Sequence, residues 1–130
     1  MVTSARQEFQ LLITDDNAAF RQVLREVLED RPFLVLHEAE SGEEAMDVVQ
    51  RRRIDIVLLD IMLPDADGLQ ILGRLRAHSK FARLPVILMT GKAQVADVKA
   101  GLAAGADGYV SKPFKVSALV AAVNLVLGKG

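Results

Sequence analysis

Five polar residues stand out because each follows an apolar run. Asp15 and Asp16 follow Leu11-Leu12-Ile13-Thr14, Asp60 follows Val57-Leu58-Leu59, Thr90 follows Ile87-Leu88-Met89, and Lys112 follows Tyr109-Val110-Ser111. Gathered in one place, three carboxylates would repel one another. At an effective dielectric of 20, two unit charges about 4 Å apart cost roughly 4 kcal/mol, so a proton or a cation must relieve them. An oxygen-only set with no Cys in the chain and no His among the five favours a hard divalent ion. Mg²⁺ suits best, because it takes few carboxylates and keeps water and phosphate oxygens as its other ligands. Lys112 adds a positive point charge, and Thr90 adds a hydroxyl that can donate to an oxyanion. Metal, ammonium and hydroxyl together would stabilise a phosphoryl group in transfer. One carboxylate is then the nucleophile, and Asp60, alone after the central apolar run, is the candidate.

The elements that must bring these residues together are legible in the pattern. Apolar runs rich in Ile, Val and Leu predict strands buried on both faces at Phe9–Thr14, Phe33–Glu38, Ile54–Leu59, Pro85–Met89 and Gly108–Ser111. Helical periodicity lies between them. Phe20, Val23, Leu24, Val27 and Leu28 form the stripe of a first helix that stops before Pro32. Ser41 and Glu44 predict a capping box for the second, and Asp67 a cap for the third, whose stripe includes Leu72 and Leu75. An alanine-rich fourth helix near Ala93–Ala104 stops at Gly105, with Gly101 and its neighbouring alanines permitting close packing. The fifth spans Val116 to Leu127, with Val116, Leu119, Val120, Val123 and Leu127 as its buried stripe. Strict β/α alternation predicts an α/β fold, a flavodoxin-like doubly wound (βα)5 with a five-stranded parallel sheet in the order 2-1-3-4-5. In such sheets the functional crevice lies at the carboxyl ends of the strands, where the order reverses between the first and third. All five polar residues fall on that edge.

Bulk properties narrow the alternatives. The 130 residues carry 16 basic and 17 acidic side chains for a net charge of −1, which argues against direct nucleic-acid binding by bulk electrostatics. The one dense basic cluster, Arg51-Arg52-Arg53, reads as a solvated helix end. No cysteine is present, which removes disulfides and thiolate metal sites. Residues 1–10 contain no apolar run that would make a secretory signal, and no stretch approaches the roughly 20 apolar residues of a membrane span. The expectation is a cytoplasmic, non-membrane domain over residues 9–128, preceded by a flexible tail at 1–8, without repeats or linkers. His37 and His78 are isolated and are read as structural or solvent-facing.

Four motifs in order carry a resemblance. Leu12-Ile13-Thr14-Asp15-Asp16, Val57 to Pro64 with Asp67-Gly68, Pro85 to Gly91, and Gly105 to Phe114 together resemble the receiver domain of two-component response regulators, from about Phe9 to Leu127. Each motif is weak alone, but four at this spacing are specific. The resemblance implies a signalling switch rather than an enzyme with a turnover substrate, phosphorylated by a sensor histidine kinase or phosphotransfer protein. Asp60 would be the phosphoacceptor. Asp16 would contact Mg²⁺ directly and Asp15 through water, with Asp60 and the backbone carbonyl of Met62 completing the metal set. Thr90 and Lys112 would bind phosphoryl oxygens, and Tyr109 would turn inward as Thr90 moves, reshaping the surface of helix 4, strand 5 and helix 5. The family often holds a bond such as Lys112–Pro113 cis, and the positions of Met62 and Lys92 flank the phosphoryl group and tune its loss. Ala118, Ala121, Ala122, Leu125 and Val126 leave the fifth helix without the charges many transcription-factor receivers use for dimer ion pairs. A homodimer or an output domain packed there is the expectation. The rivals are a receiver-like docking module that is never phosphorylated, a dehalogenase-type phosphatase, which wants a second acid where Met62 stands, and a flavodoxin, which wants a phosphate-cradling loop where Asp15-Asp16 stands.

Overall fold

The computed structural model describes residues 8–91 and 95–128, with side chains described throughout except at 95–97. Residues 1–7, all but the last residue of the expected tail at 1–8, and Lys92 lie outside them. The order is β1 (Phe9–Thr14), α1 (Ala18–Leu28), β2 (Leu34–Ala39), α2 (Gly42–Arg51), β3 (Ile56–Asp60), α3 (Gly68–Ala77), β4 (Val86–Thr90), α4 (Val95–Ala103), β5 (Gly108–Ser111) and α5 (Val116–Leu127). The sheet is wholly parallel in the order β2-β1-β3-β4-β5, as expected. Two apolar clusters cover its faces. One packs α2 and α3 on the sheet through Met46, Val49, Ile71 and Leu72. The other packs α1 and α5 through Leu24, Leu28, Leu119 and Val123.

Several local expectations need correcting. Only the inner strands are buried on both faces: every residue of β3 and β4 is buried, whereas the edge strands β2 and β5 are half-covered because each has one neighbour. The strands β2, β3 and β4 begin one or two residues later than the apolar runs suggest, so Asp60 and Thr90 are the last residues of β3 and β4. Val23 is 47% exposed and Val116 53% exposed, so neither belongs to its helix's buried stripe. At α2, Ser41 accepts from the Glu44 N–H, but the Glu44 carboxylate takes the N–H of Glu40 instead of that of Ser41. The full reciprocal capping box is at α3, between Asp67 and Gln70.

Two features fix the strand ends that matter. Gly105 ends α4 at φ +103°, and the Ala106 N–H closes back on the Gly101 carbonyl at 3.0 Å, the glycine-dependent stop expected from the sequence. Gly101 is buried, and a Cβ there would lie 2.3 Å from Leu88 Cδ1, so the close packing is real. Arg76, on α3, donates to the carbonyls of Leu84 and Gly105 and to Asp107, whose carboxylate also accepts the Val86 N–H. One guanidinium therefore ties α3 to the entries of β4 and β5, which carry Thr90 and Lys112 at their far ends.

Candidate phosphoacceptor site

Parallel register sets the site. Thr14 pairs with Leu59, Asp60 with Met89 and Thr90 with Ser111, so the residues that close β1, β3, β4 and β5 lie within two register steps of one another at the carboxyl edge. Asp15 is fully buried, Asp60 is 5% exposed and Thr90 is 3% exposed, whereas Asp16 is exposed at the mouth. One carboxylate oxygen each from Asp15, Asp16 and Asp60 lies within 4.8 Å of the others. Lys112 Nζ donates to Asp15 Oδ2 at 2.5 Å and to Asp60 Oδ2 at 3.1 Å. It also sits 4.1 Å from the centre of the Phe20 ring, which meets Phe114 edge-on at 5.7 Å. The Lys112–Pro113 bond is cis, as expected.

The remaining carboxylate lone pairs have their own partners. Asp15 Oδ1 accepts the Asn17 N–H at 2.9 Å, and Asp60 Oδ1 accepts the Met62 N–H at 3.2 Å. Burial pushes the Asp60 carboxyl above its ordinary range. The attraction of Lys112 opposes this, and the charge of Asp15 adds to it. The donor set is suited to a hard divalent cation: three carboxylates in one cluster, no nitrogen or sulfur ligand, and one member exposed to solvent. Tyr109 lies beside this group on β5, half-buried, with its hydroxyl sealed from solvent and without a hydrogen-bond partner. The Met62 side chain is 67% exposed, and its N–H, as given above, faces Asp60.

Three supporting residues were not singled out for their roles in the sequence. Gly68 packs against the end of β3, where a Cβ would lie 2.2 Å from the Asp60 carbonyl oxygen and 2.8 Å from Ile61 Cα, and its N–H donates to the Ile61 carbonyl at 2.7 Å. The Asp67-Gly68 pair marks that turn, but only the backbone path shows why glycine is needed. Phe20 reads as one more stripe residue, yet its ring faces Lys112. Arg21 donates to the Asp15 carbonyl at 2.6 Å and pairs with Glu38 at 2.8 Å, which fixes the β1–α1 turn. Glu38 is held below the usual carboxylate range: the Arg25 and Arg21 guanidiniums overcome the opposing effect of burial.

Comparison with known proteins agrees with this geometry. Residues 11–124 match the family model of the response regulator receiver domain. The chain is 36% identical over 118 residues to the transcriptional regulatory protein SrrA of Staphylococcus aureus, covering 91% of this chain and 47% of that protein, so it spans about half the length of the curated relatives it matches. Among solved structures, the signal receiver domain of a DNA-binding response regulator from Colwellia psychrerythraea superposes with a TM-score of 0.87 at 28% identity, over 93% of this chain and 99% of that one. The chemotaxis response regulator CheY4 of Vibrio cholerae gives 0.85 at 26%, over 92% and 99%. Sheet order, acidic crevice and sequence match converge, and the chain belongs to the response regulator receiver domain family.

Proposed function

We propose that this domain is a phosphoacceptor switch of a two-component system, in which Asp60 takes a phosphoryl group from a phosphohistidine on a sensor histidine kinase or phosphotransfer protein in the cytoplasm. The observation that carries the reading is the pairing of one buried carboxylate, Asp60, with Lys112 inside a cluster that also holds Asp15 and Asp16.

The chemistry follows from these atoms. An Asp60 carboxylate oxygen attacks phosphorus, the phosphorus–nitrogen bond breaks, and its electron pair stays with the departing imidazole of the donor. Asp16, Asp60 and the Met62 carbonyl, with Asp15 through water, would hold Mg²⁺, which would supply positive charge against the phosphoryl oxygens. Lys112 exchanges its contact with Asp60 for one to a phosphoryl oxygen, and Asp15 keeps the ammonium in place during the exchange. The Thr90 hydroxyl reaches the same oxygens from β4. Tyr109, whose unpartnered buried hydroxyl leaves it weakly committed to its position, repacks as Thr90 moves. The α4-β5-α5 surface then shifts population between two packings.

That surface is where output is read. On α5, Val116 and Leu125 are exposed, Leu125 by 80%, and Ala118 and Ala121 are exposed between them. A second copy, or an output domain of a longer transcriptional regulator such as those related to it, covers this face in the signalling form. The domain is a signalling module, and its own phosphorylation and dephosphorylation are its only chemistry.

Intact-mass measurement after incubation with acetyl phosphate, with and without Mg²⁺, tests the reading. The expected result is one added phosphoryl group that requires Mg²⁺ and is absent in Asp60→Asn. A wild-type protein that binds Mg²⁺ but never gains mass would replace this reading with the unphosphorylated docking module.

A further inference from the structure

At the opposite pole of the sheet the structure opens a cleft of about 520 Å³. One wall is the end of α2, with Arg51, Arg52 and Arg53. The other is the α3–β4 connection, with Lys80 and Arg83, and the floor includes the apolar side chains of Phe81 and Leu84. The sequence shows only the arginine run, because Lys80 and Arg83 lie some thirty residues away and join it through the fold.

The charge balance in this cleft is unlike that of the chain as a whole. Five cations face one acid, Asp55, in a protein of net charge −1. Asp55 is already engaged: its carboxylate accepts the Gln10 N–H at 2.6 Å and lies 3.5 Å from Arg53. Arg51 pairs with Asp47 at 2.9 Å and stands in the last turn of α2, where a cation offsets the helix dipole. That role accounts for Arg51 alone. Among the described residues, Arg52 and Arg83 have no carboxylate in ion-pair reach, and Lys80 has only the Phe81 ring, 5.7 Å away. Basic residues from two separate elements thus line one concavity, and its single acid, Asp55, leaves most of their charge unbalanced.

We propose that this cleft binds a small anion carrying two or more phosphate groups. The volume falls in the range of small-molecule sites, roughly 300–1,000 Å³. Arginine forks suit phosphate oxygens, which they can bind two at a time. The Phe81 ring is 6% exposed and offers no open face for a stacked base, so recognition falls on the phosphates. The cleft lies at the amino ends of β3 and β4, a strand length or roughly 15 Å from Asp60. The cleft is therefore separate from the acidic crevice around Asp60.

Titration calorimetry in Mg²⁺-free buffer at about 150 mM salt, with pyrophosphate, tripolyphosphate and ATP as probes, tests it. Arg52→Gln/Arg83→Gln is the variant, since both side chains are exposed and neither supports the core. Asp60→Asn checks that any binding is not at the other pole. The expected result is one saturable site for at least one probe, kept in Asp60→Asn and weakened at least about tenfold in the double variant. Tighter binding of ATP than of tripolyphosphate would identify a nucleotide, and equal binding the phosphate chain alone. Four results would overturn the proposal: no saturation, equal binding by the double variant, a response reproduced by sodium chloride at matched ionic strength, or saturable binding only to duplex DNA or acidic vesicles.

Discussion

Removing the Asp60 charge should make the metal-free protein more stable. Asp60 is 5% exposed, and its Oδ2 lies 3.1 Å from Lys112 Nζ. At an effective dielectric of 20 that contact is worth about 5 kcal/mol. Against it, a separation of at most 4.8 Å from Asp15 costs at least about 3.5 kcal/mol on the same scale, and desolvating the carboxylate costs several kcal/mol more. The raised carboxyl shows which side wins, with burial the first cause. In Asp60→Asn the ammonium keeps its 2.5 Å contact with Asp15, so no buried charge is orphaned. The expected gain is about 1–2 kcal/mol at pH 7, or a rise of roughly 3–8 °C in Tm for a domain of this size. The pH dependence has a definite sign. A carboxyl raised in the folded state costs stability above its folded pKa and nothing below its unfolded value near 3.8. The advantage of Asp60→Asn should therefore shrink as pH falls through the raised Asp60 value. Thermal melts with a chelator present, at pH 7.5 and at 5.0, measure it. An Asn variant less stable than wild type at pH 7.5, or an advantage that grows on acidification, would refute the electrostatic reasoning.

Other outcomes follow from single contacts. Gly68→Ala places a Cβ 2.2 Å from the Asp60 carbonyl oxygen, a backbone atom that cannot swing aside, so urea unfolding should show a loss of about 3 kcal/mol or more. Phe20→Leu removes the ring beneath Lys112 and its contact with Phe114; it should cost about 1–2 kcal/mol and slow acetyl-phosphate labelling, whereas Phe20→Tyr keeps the ring and should restore the rate. His37 is held below its usual value, by burial first and then by Arg52 and Arg25. Its neutral form therefore supports the fold above pH 6.5, and that support declines as pH falls below 6.5. Between pH 7.5 and 5.5 the wild type should lose more stability in chemical denaturation than His37→Gln does. Asp67→Ala breaks the reciprocal cap of α3 and should cost about 1 kcal/mol by the same measurement.

The sequence by itself determined the alternation of elements, the parallel sheet and the residues of the acidic crevice. Apolar runs of strand length ending in Asp15, Asp60, Thr90 and Lys112 left little freedom, because right-handed crossovers restrict the sheet order and that order puts the carboxyl ends together. Local chemistry at Asp67 and Gly105 was legible for the same reason: caps and helix stops depend on a few neighbouring residues. What the tertiary structure decided were matters of distance between segments remote in the chain. Val23 and Val116 fit their helical stripes by period, yet both are exposed, because burial depends on what packs against each helix face and not on period alone. The Glu44 carboxylate takes the N–H of Glu40 and not that of Ser41, a choice made by backbone geometry. The Phe20 ring under Lys112 joins residues 92 positions apart. The basic cleft joins α2 to the α3–β4 connection in the same way. Periodicity reports which face of an element is apolar, but Coulomb and contact energies depend on separations in space, and those exist only once the sheet has closed the distance.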